Sequence, residues 1–262
     1  MSISLILPIF IGLLAGWMVN YFSDTLPITR RFSKPVCLEC GASYSLKDYL
    51  LFQRCSNGHA RGFRVWLAQI LVVAASVYIW IQPPTGIGYI FGMLLILYFG
   101  VVVVIDMEHR LILHPTSIAG ALLALTAGII SHGLVPSLLG GLGGFLIMFV
   151  FYYLGVLFTR FRAKRIIAQG QEPDEEEALG SGDVILVTIL GFLVGWPLIW
   201  FCILLSIMIG GLASLMLVIS LLITRKYEKQ VLMTFIPYGP YFIISAFLIT
   251  FFPRFLAMIV PG

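Results

Sequence analysis

The chain has 262 residues, 60% hydrophobic and 11% charged, with a mean hydropathy of +1.03 and a formal net charge of +4. Soluble domains carry about 45–50% apolar and about 25% charged residues, so that class is excluded, along with disordered, collagenous and disulfide-framework chains. A membrane helix needs roughly 20 mostly apolar residues, and the apolar content is enough for about eight of them.

In chain order, apolar runs occupy Ile3–Phe22, Val65–Ile81, Ile87–Ile105, Ser117–Leu134, Leu138–Phe158, Val184–Trp200, Leu198–Ile223 and Phe235–Ile259. The sixth and seventh meet at Trp196-Pro197, where a short turn must divide them. The expected fold is an all-α polytopic membrane protein of about eight helices. Residues 1–22 form the first helix, 23–64 a small cytoplasmic insertion, and 65–262 a seven-helix membrane domain. The first run has no basic residue before it and no small-residue cleavage site after it, which predicts a retained helix.

Eight spans place segments 23–64, 106–116, 159–183 and 224–234 on one side of the membrane. These hold seven, one, four and three Lys and Arg residues, 15 of the 16 in the chain, leaving only Arg254 on the other side. The positive-inside rule makes the rich side cytoplasmic and puts both termini outside it. The basic stretches are short and flank helix ends, so they read as topology signals and lipid headgroup contacts rather than a nucleic-acid site. No signal for an oligomeric state is visible.

The insertion carries Cys37-Leu-Glu-Cys40, then Cys55-Ser-Asn-Gly-His59. Cytosolic thiols stay reduced, which argues against a disulfide. Two cysteines two residues apart can grip a metal from one tight turn, and Cys55 with His59 completes a Cys3His set suited to tetrahedral zinc. Four protein ligands leave no open position, so the zinc is expected to be structural, stabilising a loop too small to hold a core of its own. Cys202 stands alone in an apolar run and reads as a packing residue.

Acids at a membrane edge are costly and tend to be functional. Asp106 directly follows the apolar run that ends at Ile105, and Asp183 directly precedes Val184. The expected topology puts both on the cytoplasmic face. Two carboxylates sharing one site cannot both ionise easily, so one keeps its proton while the other activates water against a peptide carbonyl. Asp183 closes the tetrapeptide Gly180-Ser-Gly182-Asp183, whose glycines would let a substrate backbone come close. Each acid also has a plainer reading, Asp183 as a helix N-cap and Asp106 as a boundary charge. Gly140-Gly-Leu-Gly143-Gly144 reads as close helix packing, and the acidic stretch 170–177 as a linker able to guide a basic peptide toward Asp183.

Taken in order, these motifs resemble the type IV prepilin peptidases. The resemblant residues are Gly16-Trp-Met-Val-Asn20 with Leu26-Pro27, the cysteine pair, Ile105-Asp106-Met-Glu-His-Arg-Leu-Ile112, Glu177-Ala-Leu-Gly180-Ser-Gly182-Asp183-Val184 and Ile236-Pro237-Tyr238-Gly239-Pro240. The resemblance implies a bacterial inner-membrane aspartic endopeptidase with Asp106 and Asp183 catalytic. It would remove the basic leader from prepilins or pseudopilins at the cytoplasmic face. It also implies methylation of the new N-terminus with S-adenosylmethionine through the cysteine segment. The chain departs from the family pattern at CxxxH in place of the second CxxC, at Leu113-His114-Pro115, and at Ile185 where Lys is usual. A transporter using the paired acids for protons or ions is the rival; it expects polar groups near mid-bilayer. A non-catalytic scaffold for pilus assembly would leave both acids idle.

Overall fold

A computed structural model describes residues 3–37, 39–168, 180–224 and 237–252. It divides into two units, Met1–Thr116 and Ser117–Gly262. The described residues are helical, apart from turns and an isolated bridge between Val36 and Ser43. Among the described residues, six helices are long and apolar enough to cross a membrane, and two shorter apolar ones fall on the sixth and eighth runs.

The first unit contains α1 (Ile3–Thr29), the one-turn α2 (Leu46–Leu50), α3 (Phe63–Ile81) and α4 (Gly88–His109). α1 packs on α3 and α4, and α3 also packs on α4. Small residues set the approach: a Cβ on Gly12 would lie 2.9 Å from the Val73 backbone, and one on Gly100 2.9 Å from Val19. Side chains then fix the register, Gln69 donating to Leu13 O at 3.0 Å and Ser76 to Pro8 O at 2.6 Å. Such bonds suit an apolar solvent in which any polar group must find a protein partner.

α1 continues past Phe22 and through Leu26-Pro27 to Thr29. Proline removes one backbone donor, and helices in a membrane tolerate that when neighbouring groups compensate. Thr25 and Thr29 donate to the carbonyls four residues back, and Arg30 ends the helix in the left-handed region at φ 52°. The extra turns put Asp24 on a helix face instead of in a loop.

The second unit contains α5 (His114–His132, beginning just before the boundary), α6 (Leu134–Ala168), α7 (Ser181–Val194), α8 (Leu198–Thr224) and α9 (Gly239–Phe251). α7 packs on α6, α8 and α9, and is apolar on every side, with Val184, Leu186, Val187, Ile189, Leu190, Leu193 and Val194 buried. The glycines of α6 make this possible. A Cβ on Gly140 would sit 2.3 Å from Gly191 O, and one on Gly144 2.8 Å from Val187 O. Gly195, at φ 77°, ends α7, and Trp196 N donates to Pro136 O before α8 begins at Leu198. The sixth run therefore ends at Val194, six residues sooner than its apolarity suggests, because a left-handed glycine and a proline break it. Cys202 is buried in α8, as a packing residue should be. Long side chains such as Ile6, Ile70, Leu146 and Met208 are exposed on the helix surfaces, the pattern of a chain solvated by lipid.

Candidate functional site

The insertion folds around its cysteines. Cys37 N donates to Ala42 O and Gly41 N to Cys37 O, closing the first turn, with Gly41 left-handed at φ 71°. Cys55 N donates to His59 O and Gly58 N to Cys55 O, closing the second, with Gly58 at φ 85°. The loop thus bends back at Gly41, just after the first ligand pair, and at Gly58, inside the second. One ligand atom each from Cys37, Cys40, Cys55 and His59 lies within 4.8 Å of the others. Cys40 and Cys55 sulfurs are 3.7 Å apart, and His59 Nδ1 is 3.5 Å from Cys55 Sγ and 4.0 Å from Cys37 Sγ. A tetrahedron with metal–ligand lengths near 2.0–2.3 Å has edges of about 3.5–3.8 Å, so the four atoms fit a single ion.

The electrostatics agree. Burial raises the Cys37 thiol, but the backbone N–H groups of Glu39 and Cys40 and the neighbouring thiols outweigh it and hold it near 6. At Cys40 the Ala42 N–H lowers the pKa, yet desolvation and the sulfurs of Cys37 and Cys55 leave it raised. Competing sulfurs of this kind are relieved by a cation. Cys37 and Cys55 pack with Tyr44 and Tyr49, so the knuckle carries a small apolar core.

Next to the knuckle lies an ion network, buried at Asp24 and Tyr49 and exposed at its Glu108 end, that the sequence reading did not find. Asp24, on α1, is 8% exposed. One of its oxygens accepts from Tyr49 Oη at 2.6 Å and from Arg61 at 2.7 Å, and the other accepts from Arg64. Burial, then the Asp24 charge, raises the Tyr49 phenol, so it stays protonated as a donor. The Arg61 guanidinium lies 3.9 Å over the Tyr49 ring and also donates to Tyr49 O. Arg64 additionally donates to Asn20 Oδ1 at 3.3 Å and pairs through Nε with Glu108 at 2.8 Å. Asp24, Arg61, Arg64 and Glu108 line a cleft of about 210 Å³, with Cys37, Glu39 and Tyr44 among its other walls. The signal for Asp24 was available: it is a lone acid two residues beyond an apolar run, the criterion that picked out Asp106.

Asp106 lies in the last turn of α4 and is 5% exposed. The helix stops four residues later, where Arg110, left-handed at φ 53°, donates its N–H to Asp106 O at 2.9 Å. Asp183 lies in the first turn of α7 and is partly exposed, its N–H donating to Gly180 O at 3.1 Å. Gly180 is the N-cap, in ordinary extended backbone, and a Cβ there would be 3.7 Å from Asp183 Oδ2. Neither strain nor crowding requires a glycine at 180. Gly182 is within α7. The acidic stretch 170–177, Glu177, Ile236 and Arg254 lie outside the described residues.

Residues 93–215, which include both aspartates, match the model of the type IV leader peptidase family. The chain is similar to a prepilin leader peptidase/N-methyltransferase of Aeromonas hydrophila, 24% identical over 186 residues, covering 70% of this chain and 56% of the relative. It is also similar to one of Stutzerimonas stutzeri, 29% identical over 215 residues, covering 80% of this chain and 60% of the relative. The chain thus matches little more than half the length of these curated relatives. No solved structure matches it.

Proposed function

We propose that this chain belongs to the type IV leader peptidase family, whose model its residues 93–215 match, and that it is a membrane aspartic endopeptidase. It removes the basic leader from prepilins or pseudopilins at the cytoplasmic face of the inner membrane. The observation that carries this reading is that one family match spans both aspartates, all of α7 and most of α4. In the proposed reaction the substrate's apolar segment enters laterally from the bilayer. One carboxyl group of Asp106 and Asp183 is protonated and donates a hydrogen bond to the scissile carbonyl. The other is ionised and takes a proton from the attacking water. The pair titrates as a unit, so neither residue has a pKa of its own.

Cys37, Cys40, Cys55 and His59 would hold a structural zinc that organises the insertion. The relatives' name also supports transfer of a methyl group from S-adenosylmethionine to the new N-terminal amine. The rival transporter reading gains nothing from acids that sit at helix ends. Incubating the purified protein with a prepilin in detergent, with and without S-adenosylmethionine, tests both activities. Mass spectrometry should find the leader released in both reactions and a 14 Da addition to the new N-terminus only with the cofactor. An intact prepilin in both reactions would remove the peptidase reading.

A further inference from the structure

We propose that Arg64 is a positioning residue for Asp106, acting through Glu108; this rests on the reading of Asp106 as catalytic. Asp106 occupies the last turn of a helix that stops at His109, and terminal turns are where helices fray. Three residues of α1 and α4 converge on one guanidinium there. Arg64 Nε binds Glu108 at 2.8 Å, Nη1 binds Asn20 at 3.3 Å, and Nη2 binds Asp24. Asn20 and Asp24 are four residues apart, one above the other on the same face of α1. The planar group is therefore fixed at three corners, two on α1 and one on the last turn of α4.

The far side of the network keeps this bridge in place. The other oxygen of Asp24 is held by Tyr49 and Arg61, and the Arg61 guanidinium lies over the Tyr49 ring. Two carboxylates and two guanidiniums balance in charge. With Asp24 so held, Arg64 has one stable orientation, and that orientation fixes Glu108. A lysine has a single nitrogen on a flexible stem and cannot meet three separated acceptors. Because Glu108 is two residues from Asp106 and on the same turn, release of Glu108 frees the turn that aims the Asp106 carboxyl group.

The test measures prepilin cleavage by the full-length protein in detergent, with Arg64→Gln, Arg64→Lys, Glu108→Gln, the Arg64→Gln/Glu108→Gln double variant and Asp106→Asn. Metal content and thermal unfolding are recorded for each. Glu108→Gln takes the charge from the link to α4 and leaves the Asp24 cluster intact, so it stands even if Arg64 variants fold poorly. Misplacing a reacting group by about 1 Å can lower a rate about 100-fold, so kcat should fall about 10- to 100-fold in Glu108→Gln and Arg64→Gln. KM should stay within about threefold, because substrate contacts are untouched. Lysine should restore little, and the double variant should be no worse than the poorer single one. Wild-type kcat in Glu108→Gln, or multiplying losses in the double variant, overturns the role of Arg64. Cleavage by Asp106→Asn would instead overturn the catalytic reading on which the proposal rests.

Discussion

Around Asp106 the chain secures a helix end with charge. Asp24, Arg61, Arg64, Glu108 and Tyr49 form a hydrogen-bonded cluster, buried at Asp24 and Tyr49 and exposed at Glu108, beside the Cys3His knuckle. Around Asp183 it relies on closeness. α7 is apolar on all sides, and the glycines of α6 bring backbone against backbone at Gly140 and Gly191. The difference follows from what surrounds each helix. Hydrocarbon is as apolar as leucine, so helices inside a bilayer gain little from burying apolar surface and must gain from tight packing. A loop of about 40 residues can bury only a small apolar core, so ion pairs and a metal-ligating set such as Cys3His have to supplement it. The first region should therefore be sensitive to lost polar partners, and the second to added volume.

The largest expected effect is on the knuckle. Cys37→Ser should abolish metal binding and expose residues 39–62 to limited proteolysis, while α6–α8 stay protected. Acid should act in the same direction. The Cys37 thiol is lowered from 9.0 to about 6 in the folded chain, so the stabilisation its thiolate provides is complete above pH 9 and is lost as pH falls through about 6. Metal uptake by the stripped protein should fall over that same interval, measured with a colorimetric chelator.

Next comes the buried cluster. Asp24→Asn would leave Arg61, 4% exposed, without its anion, and removing one partner of a buried pair costs about 3–5 kcal/mol. Unfolding of the detergent-solubilised protein should register that loss. Gly140→Ala, by contrast, adds one methyl group 2.3 Å from Gly191 O, and overpacking of this kind costs about 1–3 kcal/mol. The same Ala substitution at Gly41, where no atom lies within 4 Å, meets no crowding and costs only backbone strain. The smallest effect belongs to Gly180→Ala, which meets only ordinary contact and should change stability by less than about 0.5 kcal/mol. A loss there as large as at Gly140 would mean that Gly180 serves packing instead of access.

The helices and the knuckle were legible because their signals are local: hydropathy over a span, and ligands paired within two or four residues. Gly140 to Gly144 were legible as packing for the same reason. The end of α1 was not, since its apolar run stops at Phe22, while the helix continues through the polar Ser23-Asp24 and through Pro27 to Thr29. That error hid Asp24. Its partners lie 25 to 40 residues away, and Arg61 and Arg64 look like topology charges until the fold gathers them. The turn between α7 and α8 was legible at Trp196-Pro197, whereas the positive φ of Gly195, which ends α7, was not, because that glycine is embedded in unbroken apolarity.

The most direct measurement is leader release from a purified prepilin by the wild type, Asp106→Asn and Asp183→Asn, each shown by metal content and thermal unfolding to be folded. The account expects release by the wild type alone, with both variants at least about 1,000-fold slower, the scale lost when an acid–base group is removed. Wild-type release by either folded variant would contradict it.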